Sequence, residues 1–160
     1  MHVLVNPDLQ LRKQSVAISP ERILTPEFQQ FIKEMKETMA MENGVGLAAP
    51  QIGVLERVIL VETQDGPQAF INPVIIHRSL RKIDSEEGCL SVPGVFGIVR
   101  RHRRVTVQAF NERAEAVTIH AQQFPAIIFQ HETDHLDGVL FIDRAKKTWE
   151  ADHKPTYPMV

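Results

Sequence analysis

Two histidines four residues apart, with a glutamate beside the first, constrain this chain more than any other feature. His131-Glu132-Thr133-Asp134-His135 serves a metal ion only when it is helical. On a helix the i, i+4 spacing puts both imidazoles on one face, one turn apart, where they share a single ion. The flanking residues agree with a helix over 124–136, because Pro125 is tolerated in a first turn and Gly138 stands just past the end. Glu132 is adjacent to the first ligand, so its carboxylate reaches a water at the ion without becoming a ligand itself. The plainer alternative is that both histidines are ordinary core or surface residues.

An open catalytic site usually keeps three protein ligands plus water, so a third donor is required. After His135 the candidates are Asp137, Asp143, Glu150, Asp152 and His153, none of them on a convincing second helix. Upstream, Cys89 in Glu86-Glu87-Gly88-Cys89-Leu90-Ser91 is the stronger choice, since a thiolate binds divalent transition metals well and Gly88 permits close backbone approach. Being the only cysteine, it forms no internal disulfide. It is either a small buried hydrophobe or a ligand, and the nearby histidine pair tips the balance toward ligation.

The rest of the chain supplies the frame. Thr25 is placed to cap a helix that begins at Pro26, with Phe28, Phe31 and Ile32, Met35 and Met39 at helical spacing and Asn43-Gly44 as the stop. Short strand-like runs follow at 57–62, 69–71, 74–76, 105–110 and 116–120, separated by turn formers such as Asp65-Gly66-Pro67 and Asn111. The expected fold is therefore α+β: antiparallel sheets around a central helix carrying H-E-x-x-H, plus an N-terminal helix. At 160 residues the chain is expected to be one catalytic domain over 1–160, with 145–160 an irregular tail in view of Pro155 and Pro158. A net charge of −2 argues against a strongly basic nucleic-acid binder, DNA included, although local basic patches are allowed. No apolar run approaches the roughly 18 residues of a membrane span, and Met1-His2-Val3-Leu4-Val5 does not open a secretory signal. The cytosol is the expected compartment.

Gly44-Val45-Gly46-Leu47-Ala48-Ala49-Pro50-Gln51 carries little side-chain bulk, so a peptide could lie against its backbone; taken alone it reads rather as a helix C-cap followed by a tight turn. The amide of Gln51 is a candidate donor to a developing oxyanion. Together with Glu87-Gly88-Cys89-Leu90-Ser91 and Gln130-His131-Glu132-Thr133-Asp134-His135-Leu136, this segment resembles the three signature motifs of the peptide deformylases, in the family's order. The likeness runs more weakly from Pro7-Asp8 to Leu140-Phe141-Ile142-Asp143.

The resemblance implies removal of the formyl group from the N-terminal formyl-methionine of new polypeptides, with release of formate. It implies one divalent ion per chain, Fe2+ in cells and Zn2+, Ni2+ or Co2+ as alternatives, held by Cys89, His131 and His135. Glu132 becomes the general base and then acid, and Gln51 and the Leu90 N–H become oxyanion donors. Val45, Gly46, Glu87, Gly88 and Ile128 become substrate contacts, and His131 also walls the methionine pocket. Arg101 is a candidate partner of Glu87 or Asp134, although Arg100-Arg101-His102-Arg103-Arg104 also reads as an exposed charge cluster. Implied partners are N-formylmethionyl peptides or nascent chains and, transiently, the ribosome, in a compact bacterial form. Two departures stand out: Phe96 lies near where some members carry a basic substrate-touching residue, and Arg144-Ala145-Lys146-Lys147 gives way to prolines rather than a long basic helix. The rival reading, an H-E-x-x-H endopeptidase, needs its third ligand downstream of His135.

Overall fold

The computed structural model describes residues 1–151. Thr25 caps the long helix as its residue type demands: its hydroxyl accepts from the Phe28 N–H, Pro26 takes the first position, and the helix runs Pro26–Met41 behind a short turn of helix at Pro20–Ile23. We call these α2 and α1. Phe28, Ile32, Met35 and Met39 form the buried stripe of α2, and Asn43 turns the chain out of it with φ of 54°.

Seven strands then follow, β1 (Gly46–Ala48), β2 (Val58–Thr63), β3 (Gly66–Arg78), β4 (Lys82–Cys89), β5 (Val92–His102), β6 (Arg104–Phe110) and β7 (Ala116–Gln122). After them come α3 (Phe124–Leu136), α4 (Phe141–Arg144) and β8 (Lys147–Glu150). One sheet has the order β1-β2-β3-β6-β7 and the other β4-β5-β8, and every strand pair is antiparallel. Helix α3 packs against strands of both sheets, so nearly its whole circumference is apolar or functional and buried. Among the described residues no helix is long and apolar enough to cross a membrane.

The architecture is the expected α+β arrangement around the H-E-x-x-H helix, with several local differences. The runs at 69–71 and 74–76 are one strand, β3, interrupted at Asn72, which takes φ of 51° and clasps the backbone of Ile18 through both amide atoms. The hairpin of β4 and β5 carries no strand signal in the sequence, because inward positions such as Ser85 and Glu87 are polar and interrupt the apolar alternation. The irregular tail expected from residue 145 is not what Lys147–Glu150 form: they pair with Val95–Ile98 as β8, which places Trp149 opposite Phe96. Residues 152–160, the remainder of that expected tail, lie outside the described residues. Phe96 itself is buried.

Candidate metal centre

Helix α3 delivers His131, Glu132 and His135 into the interior, each no more than 2% exposed. The end of β4 brings Cys89, 1% exposed, to the same place. The donor atoms of Cys89, His131 and His135 all lie within 4.8 Å of one another, and Cys89 Sγ is 3.2 Å from His135 Nε2. Burial favours the neutral ring of His135 and holds its pKa well below the usual histidine value. For His131 burial acts the same way, but the neighbouring Cys89 and Glu87 outweigh it and raise the ring's pKa: the field here favours a cation.

The outer contacts orient that donor set. His131 Nδ1 lies 2.9 Å from Glu87 Oε2, which leaves Nε2 buried and without a hydrogen-bond partner. An imidazole nitrogen in that state is what a metal ligand requires, and a carboxylate on the opposite nitrogen is the usual support for one. The residues present thus fit a divalent ion with one thiolate and two imidazole donors. Glu87 was expected to touch substrate, but its side chain is fully buried and both oxygens are engaged: Arg101 donates to them through Nε at 2.8 Å and Nη2 at 2.9 Å. Burial pushes the Glu87 carboxyl up, and hydrogen bonds from Arg101 and His131 overcome this and hold it at about 2. Arg101 also donates to Asp134 at 2.6 Å, and Arg144 grips Asp134 through two further bonds. One residue of an apparently exposed arginine cluster is therefore a buried strut of the site.

Glu132 faces the centre with Oε2 buried and unpartnered, and burial pushes its carboxyl up to about 7. That is the range in which a carboxylate both accepts and returns a proton. Its other oxygen lies over Gly46, so close that a Cβ on residue 46 would stand 2.3 Å from Oε1. Gln51 is pinned by its carbonyl, which accepts from the Ala48 N–H at 2.8 Å, and its amide points at Cys89 Sγ (3.5 Å) and Ser91 Oγ (3.1 Å). Leu90 occupies the turn between β4 and β5, with its side chain against Gly44. Gly88 is buried beside Cys89, while Val45 and Ile128 belong to one core cluster with Val61, Phe70 and Phe129. The sequence reading missed Ser91, Arg144 and the contact of Gly46 with Glu132. Only the proximity of Ser91 to Cys89 hinted at any of these.

A sulfur and two nitrogens converging beside an unpaired carboxylate define a metal-dependent hydrolase. The polypeptide deformylase family profile matches residues 1–150. A peptide deformylase of Desulfitobacterium hafniense is 44% identical over 138 residues, covering 86% of this chain and 89% of that protein. The crystal structure of peptide deformylase from Thermotoga maritima superposes with a TM-score of 0.87 at 38% identity, over 91% of this chain and 97% of that one. A Met-Ala-Ser-bound class I type b peptide deformylase from Acinetobacter baumannii gives 0.86 at 35%, over 90% and 97%. The chain belongs to the polypeptide deformylase family, metal-dependent hydrolases that remove the N-formyl group from N-terminal formyl-methionine. The endopeptidase alternative is not favoured.

Proposed function

We propose that this chain deformylates N-formylmethionyl peptides and nascent chains at the Cys89-His131-His135 centre, with Glu132 moving the proton. The observation that carries this reading is the buried, unpartnered Glu132 Oε2 beside three converging metal donors. A divalent ion held by Cys89, His131 and His135 would supply a Lewis acid able to acidify water and polarise the formyl oxygen. Glu132 accepts the water's proton as the oxygen attacks the formyl carbon, then hands it to the departing amine, so that formate and a free N-terminus result. Gln51 Nε2 and the Leu90 N–H stabilise the tetrahedral oxyanion, each worth about 3 kcal/mol if typical of such donors.

Strand β1 is an edge of its sheet, and Gly46 has no side chain to cover its backbone. A peptide adds to such an edge as an extra strand, which orients its first residue toward the metal donors. Val45, Gly46 and Gly88 are assigned to the substrate approach, with Ile128 backing the methionine pocket and His131 forming part of its wall. Glu87 is reassigned from substrate contact to positioning residue for His131. The Met-Ala-Ser bound to the Acinetobacter protein suits a tripeptide lying with methionine first.

Fe2+ is assigned as the cellular ion, with Zn2+, Ni2+ and Co2+ compatible with the same donors. Metal analysis of protein purified without oxygen tests that assignment; zinc in such a preparation would replace it. The ribosome is assigned as a transient partner because nascent chains are the substrates. The function itself is tested by formate release from formyl-Met-Ala-Ser. Wild type is expected to turn over, Glu132→Gln to keep its metal but nearly lose turnover, and Cys89→Ala to lose both. A Cys89→Ala protein that retained metal and activity would overturn the assigned centre.

A further inference from the structure

A second concavity, of about 890 Å³, opens where the end of β3, the β3–β4 turn, the start of β6 and the end of β7 meet. Arg78, Arg81 and Arg104 line it with His77 and His120, and no carboxylate is among its lining residues. Arg12, Arg22, Arg57, Arg101, Arg113 and Arg144 each pair with a carboxylate; of the five arginines that pair with none among the described residues, Arg78, Arg81 and Arg104 are exposed and line this cleft, and Arg100 and Arg103 do not line it. In a chain of net charge −2, this is a local cationic surface that the overall balance conceals.

The backbone under those arginines is braced. The N–H of buried Ser79 donates to the Arg104 carbonyl, its hydroxyl accepts from the Arg104 N–H at 3.0 Å and donates to the Arg81 carbonyl at 2.8 Å, and the Arg103 N–H donates to the same carbonyl. Three cations are thus presented from fixed backbone positions around a hollow that His77 and His120 also line.

We propose that this cleft binds the phosphate backbone of single-stranded RNA. The charge calls for a polyanion, the concavity admits a strand but not a flat bilayer, and imidazole rings between arginines suit bases stacked beside a held backbone. The choice of RNA rests on the deformylase reading, since nascent substrates leave an RNA-built particle.

The test uses the metal-loaded full chain and a fluorescein-labelled 12-nucleotide oligouridylate followed by anisotropy. Binding is expected to weaken with salt, with a log–log slope of about −2 for three phosphate contacts on a single strand. In Arg78→Ala/Arg81→Ala/Arg104→Ala the slope should collapse toward zero, whereas the triple lysine variant should bind like wild type. Both variants should release formate from formyl-Met-Ala-Ser at the wild-type rate, which also shows that they are folded. RNA binding that is absent, insensitive to salt or unchanged in the triple alanine variant overturns the proposal. So does arginine-dependent binding to phosphatidylserine vesicles without binding to RNA. If formate release fails in every protein while arginine-dependent RNA binding persists, the cleft stands and the deformylase reading falls; the reverse pattern sinks the cleft alone.

Discussion

Gly46→Ala isolates the contact between β1 and the acid/base residue. An added Cβ would meet Glu132 Oε1 at 2.3 Å, Cδ at 2.8 Å and Cγ at 3.0 Å, and all three atoms belong to one side chain. Pairing of Gly46 with Val61 resists retreat of the strand, so the carboxylate must give way, by about 1 Å to regain ordinary contact. A displacement of that size at a reacting group costs about 100-fold in rate, or roughly 2.7 kcal/mol of barrier. Gly46 is not among the glycines with positive φ, so alanine brings no left-handed strain. The metal ligands are untouched, and Glu132 Oε2 has no bond to lose. The expected result is a kcat near 1% of wild type on formyl-Met-Ala-Ser, with metal content unchanged. The decisive measurement adds the substitution to Glu132→Gln. If Gly46 acts through the position of Glu132, the double variant is no slower than Glu132→Gln alone. A wild-type kcat for Gly46→Ala, or a further 100-fold loss in the double variant, would refute the reasoning and leave residue 46 only its place on the substrate edge.

Other outcomes follow from the same contacts. Arg101→Met strands the Glu87 carboxylate in the interior and should cost about 3–5 kcal/mol in urea unfolding, while Glu87→Gln/Arg101→Met together should cost less. Gly138→Ala combines φ of +73° with a Cβ 2.5 Å from the Arg12 carbonyl, so thermal unfolding should move to clearly lower temperature, with metal stoichiometry preserved in the protein that remains folded. Asp143 is pushed up by partial burial, but Arg12 and the Leu140 N–H outweigh this and hold its carboxyl below the usual 3.8. Its stabilising effect is therefore complete above that value and is lost as the pH falls through the lowered one. Asp143→Asn should accordingly destabilise by less than about 1 kcal/mol near pH 6 and by progressively less below pH 3.8, as read from urea midpoints. An unchanged difference across that range would exclude the Arg12 contact as its source.

Elements governed by neighbours in sequence were legible without coordinates. Thr25 and Pro26 start α2 through a bond three residues long, Gly138 follows α3, and the i, i+4 spacing puts His131 and His135 on one face whatever surrounds them. The motif order carried the family because each motif is a short run whose chemistry needs adjacent residues. Long-range packing decided the rest. Strands β4 and β5 escape a periodicity reading because the inward positions Ser85 and Glu87 serve polar contacts, and β8 exists only because β5 offers it an edge. Arg101 is indistinguishable in sequence from the arginines on either side of it; burial between Glu87 and Asp134 makes it a strut, while Arg104 remains exposed at the cationic cleft. Cys89 could be chosen as a ligand by its chemistry, but its convergence with the histidine pair, and the fit of Glu132 over Gly46, depend on two sheets closing around one helix. Residues decades apart in the chain meet only through that closure, and no local propensity encodes such a distance.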